Sequence, residues 1–213
     1  MINKIFFPPK CILCGKLLGK EETDLCHNCR QNAPEFSKGK FNISFIARWT
    51  ALWYYKENVR ESLLRYKFWR RRHYGIVYGR LLAMHLQQKG FDDFEIITWV
   101  PISFRRRWKR GFDQVAVIAR ACAKELGCKA RPVLKKIRHN RPQSLLSDVA
   151  MRRANVLGVY RIRKAVQVAN RKILLLDDII TTGATLSECA KTLHFAGVAK
   201  VEGAAVAVAE HKK

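Results

Sequence analysis

The chain has 213 residues, room for one principal domain with a real core and a small appendage. Lys and Arg total 41 against 17 acids, a formal charge of +24, while the hydrophobic share of 48% is ordinary for a globular protein. The apolar runs are interrupted too soon to cross a bilayer, and Ile5-Phe6-Phe7 before Pro8-Pro9 is not a secretory signal. A transmembrane or exported protein is therefore argued against, and a cytoplasmic one is expected, free or peripheral at the inner face of the membrane.

In chain order, the first organised feature is a CxxC…CxxC pair, Cys11-Ile12-Leu13-Cys14 and Cys26-His27-Asn28-Cys29, with eleven residues between. In a reducing compartment Cys11, Cys14, Cys26 and Cys29 read as zinc ligands, with a redox pair or unmetallated thiols as the alternative. Four thiolates close a tetrahedral shell, so the Zn2+ would be structural and not catalytic. His27 could replace a ligand, but four cysteines suffice. Gly15 after Cys14 permits the tight turn of a knuckle. Cys122, Cys128 and Cys189 show no such spacing.

The segment 49–55 is aromatic and β-prone, a strand or hairpin arm joining the zinc module (1–45) to the main domain (46–213). The stretches 57–68 and 74–89 read as helices with Leu63, Leu64, Leu81, Leu82 and Leu86 turned to a core. A strand follows at 95–100, ended by Pro101, then a helix at 114–126 stopped by Gly127, and a last strand within 201–208. Strands alternating with helices predict an α/β fold with a mainly parallel sheet, whose ligands bind at the carboxyl edge.

The positive charge is concentrated. Arg105-Arg106-Arg107-Trp108-Lys109-Arg110 has five basic residues in six, and 131–172 holds twelve Lys or Arg against the single acid Asp148. A polyanion is the natural partner, and nucleic acid the commonest one, against a plain solvated basic surface as the alternative. Arg107, Trp108, Lys109 and Arg110 are the nucleic-acid candidates, with Trp108 suited to stacking on bases. Phe112 suits core packing better.

The most specific segment is 173–185. Four aliphatics, Ile173-Leu174-Leu175-Leu176, suit a strand buried on both faces. Asp177-Asp178 and a small-residue turn follow, and Leu186, Cys189, Ala190, Leu193 and Ala196 then recur at helical spacing up to Gly197. A turn between a strand's carboxyl end and a helix's amino end attracts an anion. Ionised carboxylates accept hydrogen bonds only, so acids beside that turn suit the hydroxyls of a sugar whose phosphate the turn holds. The ligand expected is a 5-phosphorylated ribose.

Asp177, Asp178, Thr181, Thr182, Gly183, Ala184 and Thr185 resemble the phosphoribosyl-pyrophosphate (PRPP) motif of type I phosphoribosyltransferases. The order of the remaining motifs is more specific still. It runs from the CxxC pair through Leu64-Arg65-Tyr66-Lys67-Phe68, Val100-Pro101-Ile102-Ser103, Arg107 to Gln114, Arg141-Pro142-Gln143-Ser144-Leu145 and Arg152-Arg153-Ala154-Asn155-Val156 to the PRPP motif. In that order the chain closely resembles the ComF (ComFC) family, linked to natural competence, from Cys11 to about Ala209. It departs at Asp113, where the family usually has Asn.

The resemblance implies a type I phosphoribosyltransferase fold with a small amino-terminal zinc module built on four cysteines. It implies a pyrophosphate loop over 100–107, with Ser103, Arg105 and Arg106 on the phosphates. It also implies a mobile loop over 139–147 from which Arg141 and Gln143 reach in, and Mg2+ held mostly by PRPP oxygens and water. Expected partners are PRPP or a related ligand, single-stranded DNA and other DNA-uptake proteins. Two functions stand side by side: a PRPP-binding factor in DNA uptake during transformation, and a metabolic phosphoribosyltransferase acting on a small nitrogenous acceptor. No general base for such an acceptor is evident, so transfer and sensing both remain open. An amidophosphoribosyltransferase is not expected, for want of an amino-terminal nucleophile.

Overall fold

The computed structural model describes residues 8–37, 41–138, 151, 154–164 and 166–210. The expected loop over 139–147, with Arg141 and Gln143, and Arg152 lie outside the described residues.

A five-stranded parallel sheet forms the centre. Its strands are β1 (Trp49–Tyr54), β2 (Ile96–Trp99), β3 (Lys129–Ala130), β6 (Lys172–Ile180) and β7 (Lys200–Val208), in the order β1-β7-β6-β2-β3. β4 (Leu134–Lys136) and β5 (Tyr160–Ile162) pair antiparallel as a separate ribbon. The helices are α1 (His27–Asn32), α2 (Glu57–Phe68), α3 (Arg72–Gln88), α4 (Phe104–Arg110), α5 (Gln114–Glu125) and α6 (Ala184–Phe195).

The aliphatic run of β6 explains the layering. Successive strand side chains point to opposite faces. Leu174 and Leu176 accordingly join one core with α3 and α5, while Ile173 and Leu175 join a second with α6 and the ribbon residues Leu134 and Tyr160. All four are at most 1% exposed. Both faces of the sheet are covered, which is why the strand carries no polar alternation.

α3 and α5 meet at very close range because α3 presents glycine there. A Cβ at Gly79 would lie 2.5 Å from the Ala121 Cβ and 2.6 Å from the Ile118 carbonyl oxygen. The zinc module shares this side of the molecule, with Cys11, Ile12, Leu13, Leu25, Cys26 and Cys29 packed in the same core as α3 and α5. Polar clamps fix it: the Ser62 hydroxyl and Arg65 guanidinium donate to the Ile12 carbonyl, Arg65 also to that of Leu13, and Arg80 pairs with Asp24.

Three points refine the sequence expectation. β6 continues past its aliphatic run through Ile180, so Asp177 and Asp178 lie on the strand itself, ahead of the turn. Asp177 is level with Ala205 and Ile180 with Val208 of β7, and pairing with that long neighbour extends the strand. Residues 104–110 form α4, where an irregular loop over 100–107 was expected, because Ser103 caps a helix. Of the two readings of 49–55, strand or hairpin arm, the structure has the strand, β1, parallel to β7.

Candidate functional site

The turn after β6 is built by Gly183, whose φ of +73° is a left-handed conformation that glycine adopts without steric cost. Only a hydrogen fits there: a Cβ would stand 2.8 Å from Ile43 Cγ1 and 3.3 Å from Phe41 Cε2. The segment leading out of the zinc module thus backs the turn. Ala184 opens α6, the Thr182 hydroxyl accepts from the Ala184 N–H at 3.4 Å, and the Ser187 N–H donates to the Gly183 carbonyl at 2.9 Å. Thr181 and Thr185 flank this turn, half-buried and engaged in contacts of their own.

The two acids differ. Asp177 is buried, and its Oδ1 accepts from the Asp178 N–H at 2.8 Å. Burial and the neighbouring Asp178 carboxylate push its carboxyl up to about 8. Asp178 is partly open and holds an ion pair, Oδ2 to Lys67 Nζ, at 2.9 Å. Cations approach from other elements as well. Lys136 of β4 is drawn down to about 8 by burial and by Arg106, with Asp177 opposing. Arg106 of α4 is lowered by burial and Arg110, and is within electrostatic reach of Asp178 and Tyr160. Lys67 thus touches the acid pair directly, while Arg106 and Lys136, on two other elements, act on it electrostatically from farther off.

The expected pyrophosphate residues behave unequally. Ser103 is buried, and its hydroxyl caps α4 by accepting from the Arg106 N–H at 3.5 Å. Arg106 is half-buried and feels the Asp178 carboxylate electrostatically, whereas Arg105 is exposed. Arg110 donates to the Gln114 side-chain carbonyl at 3.1 Å. Asp113 caps α5, its Oδ1 accepting from the Ala116 N–H at 3.1 Å. A carboxylate can accept there as an amide would, and burial raises it against the bonds from Ala116 and Trp99. Asn155 closes a turn, its N–H bonded to the Met151 carbonyl at 3.0 Å.

The basic-aromatic surface is larger than the sequence cluster. Arg107, Trp108 and Lys109 are exposed, Trp108 by 80%, and Phe104 by 81%. Phe68 and Trp69, at the end of α2, are 61% and 65% exposed. The two stretches adjoin: the Arg110 guanidinium lies 5.7 Å from the Phe68 ring centre, and the Arg70 Nε lies 3.6 Å from a Cβ placed on Gly111. Phe112 packs inward on Tyr66, ring centres 5.6 Å apart. The string Phe68-Trp69-Arg70-Arg71-Arg72 was the overlooked signal. Lys67 and Lys136 were missed because a lysine in a basic chain carries no signature of its own.

The four candidate zinc ligands converge. Their Sγ atoms all lie within 4.8 Å of one another, and Cys14 and Cys26 are 3.6 Å apart. Zn–S bonds of about 2.3 Å require tetrahedral edges near 3.8 Å, so the set fits the metal. Gly15 has φ +80° and donates to the Cys11 carbonyl at 2.9 Å, which forms the knuckle. The thiols differ without a metal: burial raises Cys11, but N–H groups of Cys14, Cys26 and Leu13 outweigh it and bring it to about 7, whereas burial and the neighbouring thiols hold Cys14 and Cys29 above the ordinary value. A cavity of about 730 Å3 elsewhere, lined by Glu95, Lys129, Arg131, Lys164 and Arg171, opens at the amino ends of β2, β3 and β6, the opposite end of the sheet from the acid pair.

Comparison with known proteins agrees with this division of parts. Residues 115–213 match the phosphoribosyl transferase domain family, and residues 2–41 match the double zinc ribbon domain family. The chain is 30% identical over 141 residues to DNA utilization protein YhgH of Escherichia coli O157:H7, covering 64% of this chain and 61% of that protein. The alignment thus spans about three fifths of YhgH. Competence protein F of Haemophilus influenzae is 26% identical, covering 91% of this chain and 82% of its own. Competence protein ComFC of Streptococcus pneumoniae is 27% identical, covering 91% and 97%. Among the described residues no helix is long and apolar enough to cross a membrane.

Proposed function

Because the chain belongs to the ComF family, we propose that it is a cytoplasmic DNA-uptake factor that binds PRPP or a close relative and single-stranded DNA. The zinc module ends near residue 45, and the remainder carries both binding functions.

One observation carries the phosphoribosyl reading: an acid pair, Asp177 buried and Asp178 partly open, shares the carboxyl end of one strand with a left-handed glycine turn, with Lys67 on Asp178 and Arg106 and Lys136 in electrostatic reach. Asp177 and Asp178 accept from the ribose hydroxyls, and the N–H groups and hydroxyls of 181–185 hold the 5-phosphate. Arg106 faces the pyrophosphate, and Mg2+ rides on ligand oxygens. Calorimetry with PRPP and Mg2+ tests this. Wild type is expected to bind with measurable heat, and the Asp177→Asn/Asp178→Asn protein to lose it. Equal heats from the two would refute the site. A pyrophosphate-release assay with candidate bases then decides between transfer and sensing.

Single-stranded DNA lies on the surface formed by Phe68, Trp69, Arg70, Arg107, Trp108, Lys109 and Arg110, whose exposed aromatic rings and guanidinium groups suit stacking and phosphate contact. Log affinity is expected to fall linearly with log salt, with a slope of about −0.7 per phosphate neutralised. Replacing Trp69 and Trp108 by Ala is expected to cost roughly 1–3 kcal/mol for each stacked base. A salt-independent curve, or full affinity in the double variant, would remove DNA from this surface.

A further inference from the structure

The Lys67–Asp178 pair poses a problem for any ligand of the site. The contact is 2.9 Å long, and both side chains are mostly buried, 15% and 13% exposed. A ribose hydroxyl that donates to Asp178 must share or displace that ammonium, because an ionised carboxylate has a limited set of acceptor positions. A displaced ammonium is not left idle. It stays beside a site whose expected ligand is highly anionic, and Lys is a compact charge on a flexible four-carbon stem.

The position of Lys67 is also not free. It sits in the last turn of α2, one residue after Tyr66, which is fully buried and donates to the Gln114 carbonyl at 2.7 Å. Ser62 and Arg65 tie the same helix to the first cysteine knuckle through the Ile12 and Leu13 carbonyls. The Arg65 Nε is buried without a hydrogen-bond partner, so those carbonyls carry most of the satisfaction of its guanidinium. The knuckle thus sets the height of α2, and α2 sets the reach of Lys67.

We infer that Lys67 is a ligand-responsive binding residue: it neutralises Asp178 in the free protein and passes to the pyrophosphate oxygens of the bound ligand, with Arg65 and the first cysteine knuckle as its positioning support. This rests on the phosphoribosyl reading above, and it adds what that reading lacks, a discriminator between ligands with and without pyrophosphate. In ribose 5-phosphate the ammonium gains no pyrophosphate partner and only competes with the sugar for Asp178.

The test measures the affinities of wild type, Lys67→Met, Lys67→Arg and Arg65→Gln, all with their metal, for PRPP with Mg2+ and for ribose 5-phosphate. Circular dichroism checks that each variant is folded. Lys67→Met is expected to weaken PRPP binding about 10- to 100-fold, the size of one or two charge-assisted hydrogen bonds, while ribose 5-phosphate binding is unchanged or tighter. Lys67→Arg restores part of the PRPP affinity. Arg65→Gln lowers the ratio of PRPP to ribose 5-phosphate affinity in the same direction by a smaller factor, which general loosening of the fold would not do. A folded Lys67→Met protein that loses both ligands equally, or neither, overturns the inference while leaving the site standing. Wild-type protein that binds neither ligand overturns the phosphoribosyl reading itself.

Discussion

Removing the metal from the four-cysteine cluster is expected to unfold residues 8–37 and to destabilise what they rest on. The module is some thirty residues long, and its buried set is small: Cys11, Cys26 and Cys29 with Ile12, Leu13, Leu25 and Phe36. Chains below about forty residues rarely close a core without a metal or disulfides. Structural zinc supplies an apparent 10–16 kcal/mol or so in such modules, more than the total stability of many domains. Without it the knuckle opens, the Ile12 and Leu13 carbonyls leave Arg65, and a mostly buried guanidinium keeps only the Glu61 carboxylate at 3.7 Å. A Cys26→Ser protein is expected to melt well below wild type, and chelated protein to be cleaved within 8–37 before it is cleaved in the sheet. Limited proteolysis and thermal melting with metal content measured alongside check this. Metal-free protein with an unchanged melting curve and digest would show that the cysteines are mere core residues.

The second large effect concerns Asp177. Its carboxyl is raised from 3.8 to about 8, by burial and by Asp178. A raised carboxyl keeps its proton in the folded state after the unfolded chain has released it. The contribution of Asp177 to stability is therefore fully present below about pH 4 and is lost as pH rises towards 8, at up to ~1.4 kcal/mol per unit. Asp177→Asn removes this dependence and keeps an oxygen to accept from the Asp178 N–H. Urea unfolding of both proteins between pH 4.5 and 8.5 is expected to give stability curves that diverge with rising pH in favour of the variant, by up to roughly 5 kcal/mol. Ribose hydroxyls prefer the ionised carboxylate, so PRPP affinity of the wild type should rise across the same window. Parallel unfolding curves would mean that Asp177 is ionised throughout, with a cation beside it doing what Lys136 does only at a distance.

Much of the site was legible because its signals are local. Ile173 to Leu176 names a strand buried on both faces, Thr181 to Gly183 names a turn, and the spacing of Leu186, Cys189 and Leu193 names the helix behind it. Each is a matter of neighbours and periodicity. Cys11, Cys14, Cys26 and Cys29 were legible for the same reason, since a knuckle is a four-residue object. Less visible was where a strand ends. The aliphatic run stops at Leu176, and it is the length of β7 that carries the strand on through Asp177 and Asp178 to Ile180. Residues 104–110 have no apolar stripe to announce a helix; with none of them buried, α4 rests on its Ser103 cap and Gly111 stop.

What the amino-acid sequence determined by itself, then, is the set of short-range parts: two knuckles, an acid pair, a glycine turn before a helix and a heavy excess of positive charge. Tertiary structure alone decided which parts meet. It placed Lys67 on Asp178, Ile43 and Phe41 against Gly183, the knuckle carbonyls on Arg65, and Phe68 beside Arg110. None of those pairs has a local signature, because each is fixed by how helix and sheet faces pack and not by the residues on either side of it. The charge excess illustrates the division best. Composition supplied the cations, and packing selected Lys67 from among 41 of them to pair with Asp178, with Arg106 and Lys136 left in electrostatic reach of the two carboxylates.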